Sequence, residues 1–261
     1  MARPSIAAPP LSLLALEQLA MLEYASLVMT GPYLGLVPEG DGQAALILPG
    51  FTGSDRSTGP LRALLRHRGY TVHGWGLGSN IGPHDRIIVG MQARLRSLHE
   101  RHGRPITVVG WSLGGVYARE LARAAPSSVR QVITLGSPFR LRPGDRSFAT
   151  RLYDMMAPRV EPFPGRDIAE QDRPPVPTPV TAIYTRTDGI VRWHTCIEVE
   201  GPERENIRVV GTHSGLGVNL AAVIAIADRL RQPEGSWTPF RPPSLLRHLY
   251  RKPDVWRAPT P

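Results

Sequence analysis

A β-branched run that breaks on a glycine–serine–glycine turn and resumes as a helix leaves a chain few folds to choose from. Residues 105–116 read Pro-Ile-Thr-Val-Val-Gly-Trp-Ser-Leu-Gly-Gly-Val, a strand running into Gly110-Trp111-Ser112-Leu113-Gly114 and then a helix. A serine on a tight strand-to-helix turn needs small residues two positions to either side, because the backbone there is pressed against its neighbours. The turn lifts the hydroxyl above the sheet, and the helix behind it turns N–H groups toward any negative charge that develops there. With 26 glycines in 261 residues the pentapeptide alone could arise by chance. The strand before it and the helix after it give it weight.

The rest of the chain repeats that alternation. Ala44–Leu48 is short and continuously apolar, as in a strand covered by helices on both faces. The pattern then predicts helix 57–68, strand 70–75, helix 84–102, strand 105–110, a helix after Ser112, strand 131–135, strand 180–185, strand 207–210 and helix 217–231. Strand–helix alternation implies right-handed crossovers and a mostly parallel sheet flanked by helices. Such sheets bind ligands at the carboxyl ends of their strands. Residues 11–29 predict one helix, with Glu17 and Glu23 on its water-facing side. Two segments break the rhythm. The proline-rich stretch 139–178 is too long for an ordinary connection and reads as a lid or a flexible loop. Residues 232–261 are rich in proline and basic groups, and their aromatics favour partial packing. The organisation expected is an N-terminal helix and lead-in (1–43), a core (44–231) with the 139–178 insertion, and a tail (232–261).

Composition narrows the classes. The formal charge is +9, almost all of it arginine. The arginines are scattered, with no basic block and no nucleic-acid-binding signature, so they read as solvated helix faces and nucleic acid is not an expected partner. A single cysteine, Cys196, precludes an internal disulfide and gives no support for secretion. The N-terminal apolar stretch carries Glu17, Gln18 and Glu23, which a signal-peptide core would not. No run is long enough to cross a bilayer. The compartment these features point to is the cytoplasm.

A serine hydroxyl needs a histidine to take its proton and a carboxylate to hold that histidine in the right tautomer. Of eight histidines, His67, His99, His102 and His248 read as solvent residues. His213 follows the last long strand and precedes Ser214-Gly215-Leu216-Gly217, which opens the final helix. There it can lie over the nucleophile. Asp188 follows strand 180–185 in Thr187-Asp188-Gly189-Ile190-Val191, where Gly189 allows a sharp turn. The chain order Ser112, Asp188, His213 differs from the orders used by the chymotrypsin-like and subtilisin-like enzymes. Two N–H groups for an oxyanion are expected from Leu113 and, in the loop Pro49-Gly50-Phe51-Thr52-Gly53, from Phe51.

Through Pro49-Gly50-Phe51, Gly110-Trp111-Ser112-Leu113-Gly114-Gly115, Asp188-Gly189-Ile190-Val191 and Gly211-Thr212-His213, the chain resembles the α/β-hydrolase superfamily of the lipase/esterase kind over residues 44–231. That resemblance implies the α/β-hydrolase fold, a serine–aspartate–histidine triad and a lid matching 139–178. Pro49 stands where the family commonly has histidine, which touches loop packing more than chemistry because the donor is a backbone amide. The family's two N-terminal strands are not evident before Ala44, and helix 11–29 is expected in their place. The activity implied is hydrolysis of a carboxylic ester through an acyl-enzyme on Ser112, without cofactor or metal. Trp111, Phe139, Tyr153 and Met156 are the candidates to line an apolar acyl pocket. An acyltransferase or another α/β-hydrolase-fold reaction using the same triad, such as a peroxidase-like or C–C-cleaving one, or a non-catalytic binding protein on the same fold, are the alternatives. The partner expected is a small ester; a lipid surface stays open, and the oligomeric state is not encoded legibly.

Overall fold

The computed structural model describes residues 6–29, 31–141, 145–148 and 169–256. Its centre is a seven-stranded sheet in the order β2-β1-β3-β4-β5-β6-β7. The strands are β1 (Ala44–Leu48), β2 (Thr71–Gly74), β3 (Ile106–Trp111), β4 (Val129–Leu135), β5 (Val180–Thr185), β6 (Arg204–Val209) and β7 (Tyr250–Arg251). Strands β1 to β6 are parallel and β7 joins β6 antiparallel.

Helices cover both faces. Helix α3 (Gly59–His67) and helix α6 (Leu220–Arg231) pack on one face, against Ile47, Val109, Ile133, Ile183 and Val209. Helix α4 (Asp85–His102) and helix α5 (Leu113–Ala124) pack on the other, against Leu46, Leu48, Val108 and Val132. Alternate residues of one strand therefore bury on opposite faces, and both must be apolar. Burying Leu95 and Leu121 in full, both 3% exposed or less, contributes about 2 kcal/mol each. This is the α/β-hydrolase arrangement expected, with boundaries within a few residues of those read from the sequence.

Three expectations need correction. The helix over 11–29 is broken into α1 (Leu11–Leu16), a 3-10 turn (Glu17–Leu19) and α2 (Ala20–Met29). Its acids do not face water: Glu17 is buried, whereas Leu11, Leu16, Leu19, Met21 and Leu22 are exposed. The carboxylates turn inward because backbone donors wait there, as described below. This arm also does not replace sheet strands. The edges of the sheet are β2 and β7, while the arm lies over the loops that follow β5 and β6.

The arginines are not all solvated. Arg119, Arg140 and Arg229 are buried. Arg119 pairs with Glu198 at 2.6 Å and Glu170 at 2.5 Å, and its guanidinium lies over the Phe139 ring. The tail packs: after a 3-10 turn (Ser244–Leu249) it supplies β7, and the Tyr250 hydroxyl donates to the Ala221 carbonyl at 2.9 Å. A two-residue strand has no periodicity to read, so the sequence does not announce it.

Of the stretch 139–178, residues 142–144 and 149–168 lie outside the described residues, and Tyr153 and Met156 with them. The described parts are pinned to the body. Asp145 accepts from the Ile6 amide at 2.6 Å, and the Phe148 amide donates to the Ile190 carbonyl.

Candidate active site

Ser112 sits between β3 and α5 with φ 52° and ψ −120°. That region is almost closed to residues with a side chain and costs about 1–3 kcal/mol, which the surroundings must offset. They do so by crowding. A methyl group on Gly110 would meet the Gly114 carbonyl oxygen at 2.3 Å, one on Gly114 the Leu48 oxygen at 2.3 Å, and one on Gly115 the Ser137 Oγ at 1.9 Å. The turn is also held by the Ser112 amide, which donates to the Leu135 carbonyl at 2.8 Å. The glycines of the motif are thus required by close approach of β1, β3 and α5.

The loop after β1 lies directly against the serine. A methyl group on Gly50 would stand 3.1 Å from Ser112 Cβ and 3.8 Å from its Oγ. Asn80, fully buried, shapes this loop: its Nδ2 donates to the Pro49 carbonyl at 2.8 Å, and its backbone exchanges hydrogen bonds with Thr52 and Gly53. The Thr52 amide donates to the Asn80 carbonyl at 2.7 Å and the Gly53 amide to the Gly50 carbonyl at 3.0 Å. Leu113, the first residue of α5, directs its amide from the helix N-terminus. Asn80 had no sequence signal: it lies in Gly-Ser-Asn-Ile, an unremarkable loop.

Asp188 and His213 meet side chain to side chain. Asp188 follows β5, and its Oδ1 accepts from the Ile190 and Val191 amides at 2.9 and 2.8 Å. Its Oδ2 lies 2.6 Å from His213 Nδ1. An ionised carboxylate only accepts, so Nδ1 carries the proton and Nε2 is left as the basic nitrogen. Both residues are buried. Burial by itself would push the His213 pKa down, but the Asp188 charge, its hydrogen bond and the Glu17 charge outweigh it and raise the pKa above 6.5. Gly136, at φ 51°, gives this pair its space: a methyl group there would come within 3.0 Å of Nδ1.

Of the residues expected to contact substrate, Trp111 is placed in the core. Its Nε1–H donates to the His213 carbonyl at 3.1 Å, and its ring fills the space left by Gly217. It couples the serine turn to the histidine loop. Phe139 is buried under the Arg119 guanidinium, 4.0 Å from the ring centroid. Tyr153 and Met156 are not described.

Glu17 and Glu23 were not recognisable as part of this site. Glu17 Oε1 accepts from the Gly189 and His213 amides and Oε2 from the Ser214 amide, each at 2.9 Å. Glu23 accepts from the Thr212 amide at 2.8 Å. Burial pushes the Glu17 pKa up, but these backbone donors and the Ser214 hydroxyl outweigh it and hold it below 4.5. Glu23 has fewer compensating donors, and burial keeps its pKa raised. Among the described residues no three His, Cys, Asp or Glu side chains are grouped to hold a metal ion, and no helix is long and apolar enough to cross a membrane.

The parallel sheet, the serine turn after β3, and the acid and histidine after β5 and β6 define the α/β-hydrolase fold. Among solved structures the chain is similar to the monoacylglycerol lipase of Paleococcus ferrophilus, at TM-score 0.51 and 15% identity over 74% of this chain and 95% of that one. It is similar also to the Bacillus licheniformis lipase BlEst2 (0.52, 15%, 75% and 94%) and to a structure from the metagenome-derived lipolytic enzymes LipS and LipT (0.51, 18%, 74% and 93%). At these identities the likeness speaks for the fold. No family model matches the sequence, and no curated protein matches it.

Proposed function

We propose that this protein is a serine hydrolase of carboxylic esters. The observation that carries the reading is the buried 2.6 Å contact of His213 Nδ1 with Asp188, together with a serine held at φ 52° and ψ −120° on the turn between β3 and α5. Ser112 Oγ attacks the ester carbonyl while His213 Nε2 takes its proton. Asp188 keeps the imidazole in the tautomer that can do so and stabilises the imidazolium. The Phe51 and Leu113 amides are the proposed donors to the tetrahedral oxyanion, and each such donor is worth about 3 kcal/mol in the transition state. The imidazolium then protonates the leaving alcohol, and water, activated by the same histidine, releases the acid. The raised His213 pKa suits this cycle, because a base of higher pKa takes the serine proton more readily once it is neutral.

The test is labelling with a fluorophosphonate probe alongside hydrolysis of p-nitrophenyl esters. Both are expected in the wild type and absent in Ser112→Ala. A wild type that neither labels nor hydrolyses any ester of the series overturns the proposal. Acyl transfer to an added alcohol in preference to water would reassign the reaction to an acyltransferase.

A further inference from the structure

We infer that Glu17 is a positioning residue of the triad: one carboxylate, supplied by the N-terminal helical arm, that ties the Asp188 loop to the His213 loop and sets its charge behind the imidazole. The inference rests on the reading of Ser112, Asp188 and His213 as a catalytic set.

The geometry is specific. Asp188 and His213 stand on different loops, and their 2.6 Å contact depends on how those loops sit relative to each other. Glu17 takes the amide next to Asp188 (Gly189), the amide of His213 itself and the amide after it (Ser214), all at 2.9 Å. Charge-assisted hydrogen bonds of this kind are about twice as strong as neutral ones, and three converge on one side chain. The Thr185 hydroxyl also links the two loops, accepting from the Thr187 amide at 3.2 Å and donating to the Gly211 carbonyl at 3.0 Å, but it is neutral, whereas Glu17 brings a charge and takes the amide of His213 itself.

A second observation is independent of these bonds. The two loops are cut away where the arm enters. A methyl group on Gly189 would meet the Leu13 carbonyl oxygen at 2.3 Å, and one on Gly215 would meet Glu23 Oε2 at 1.7 Å. Neither glycine has a positive φ, so conformation does not require them; the arm does. The arm in turn places its acids inside and leaves Leu19, Met21 and Leu22 exposed. An amphipathic helix laid on a core would do the reverse.

The charge matters as well as the bonds. The ionisable groups that face His213 are Asp188 from the β5 loop and Glu17 from the arm. Glu23 lies beyond Glu17 on the same arm, with Tyr24 beside it, and Cys196 stands behind Asp188 with its thiol pKa pushed well up by burial. Ionised Glu17 therefore favours imidazolium, the form that accumulates as Ser112 gives up its proton.

The experiment compares wild type with Glu17→Gln, which keeps the size but loses the charge and one acceptor. Its kcat on a p-nitrophenyl ester is expected to fall about 10- to 100-fold with KM within about twofold, since a misplacement near 1 Å costs on the order of 10²-fold. In parallel, the His213 imidazole is titrated by proton NMR through its downfield Nδ1–H signal. Its pKa is expected to drop in Glu17→Gln. A folded Glu17→Gln protein with unchanged His213 titration and unchanged kcat overturns the inference. Should the variant not fold, the wild type decides: the Gly189, His213 and Ser214 amide resonances are expected to titrate together with one midpoint below 4.5, and independent or absent titration overturns it. The NMR arms need no substrate, so they judge Glu17 even if fluorophosphonate labelling of Ser112 fails.

Discussion

Asp188→Asn is the perturbation whose outcome the geometry constrains most closely. In the wild type Oδ1 accepts from two backbone amides, Ile190 and Val191, at 2.9 and 2.8 Å, while Oδ2 faces His213 Nδ1 at 2.6 Å. An asparagine has one oxygen and one NH2. Placing the NH2 on the backbone side would set two N–H donors against it and lose two hydrogen bonds, about 1 kcal/mol each, with a further desolvation penalty for the buried groups. The oxygen therefore stays with Ile190 and Val191, and the NH2 is forced toward His213. Nδ1 must then accept, so the proton moves to Nε2, the nitrogen that has to receive the Ser112 proton. The imidazole becomes correctly placed and wrongly protonated. The loss expected is about 10⁴-fold in kcat, or roughly 5.5 kcal/mol of transition-state stabilisation. KM is expected to change little. The assay is steady-state hydrolysis of p-nitrophenyl butyrate from pH 5 to 10, with the rate of fluorophosphonate labelling as a measure of serine reactivity, and thermal unfolding to verify the fold. An Asp188→Asn enzyme within about 10-fold of wild type would refute the reasoning, because it would mean that the acid does not set the tautomer.

Other perturbations probe different links. Gly189→Ala puts a methyl group 2.3 Å from the Leu13 carbonyl. It is expected to lift the arm, destabilise the fold by about 1–3 kcal/mol in urea unfolding and lower kcat; wild-type stability would show that the arm does not press on the loop. The acid limb of kcat/KM is expected to have its midpoint above 6.5, because the His213 pKa is raised and the base is lost as pH falls through that value. A midpoint at or below 6.5 would contradict that assignment. The same shift has the opposite sense for stability: the contribution of His213 is full below 6.5 and lost as pH rises through its folded pKa. That of Glu17, whose pKa is depressed, is present above 4.5 and lost as pH falls through its folded pKa. Chemical unfolding across pH is expected to resolve both. Arg119→Met removes one cation from Glu170, which keeps Arg123 and Arg173, and from Glu198, which keeps Arg140 and Arg204, and should cost about 1–3 kcal/mol in urea unfolding. A loss under about 1 kcal/mol would show that the neighbouring arginines compensate.

The sequence by itself determined what depends on neighbours along the chain. Strand β1 is legible because it is continuously apolar, as a strand buried on both faces tends to be, and β3 and β5 because their runs are rich in β-branched residues. The turn at Ser112 is legible because its glycines lie within five residues of it. Asp188 and His213 are legible as loop residues after strands, in an order that a parallel sheet converts into one edge of the molecule. Tertiary structure alone decided everything that rests on a partner far along the chain. Glu17 and Glu23 read as a solvated helix face until the amides of Gly189, Thr212, His213 and Ser214 are brought to them. Gly189 reads as a turn residue, and only the approach of the Leu13 carbonyl gives the actual reason for it. Trp111 reads as a pocket wall until its indole N–H is found on the His213 carbonyl. Arg119 reads as surface charge until Glu170 and Glu198 close on it. A hydrophobic pattern states which residues leave water, but a buried polar group is stable only where its partner is, and that position is fixed by the folded chain.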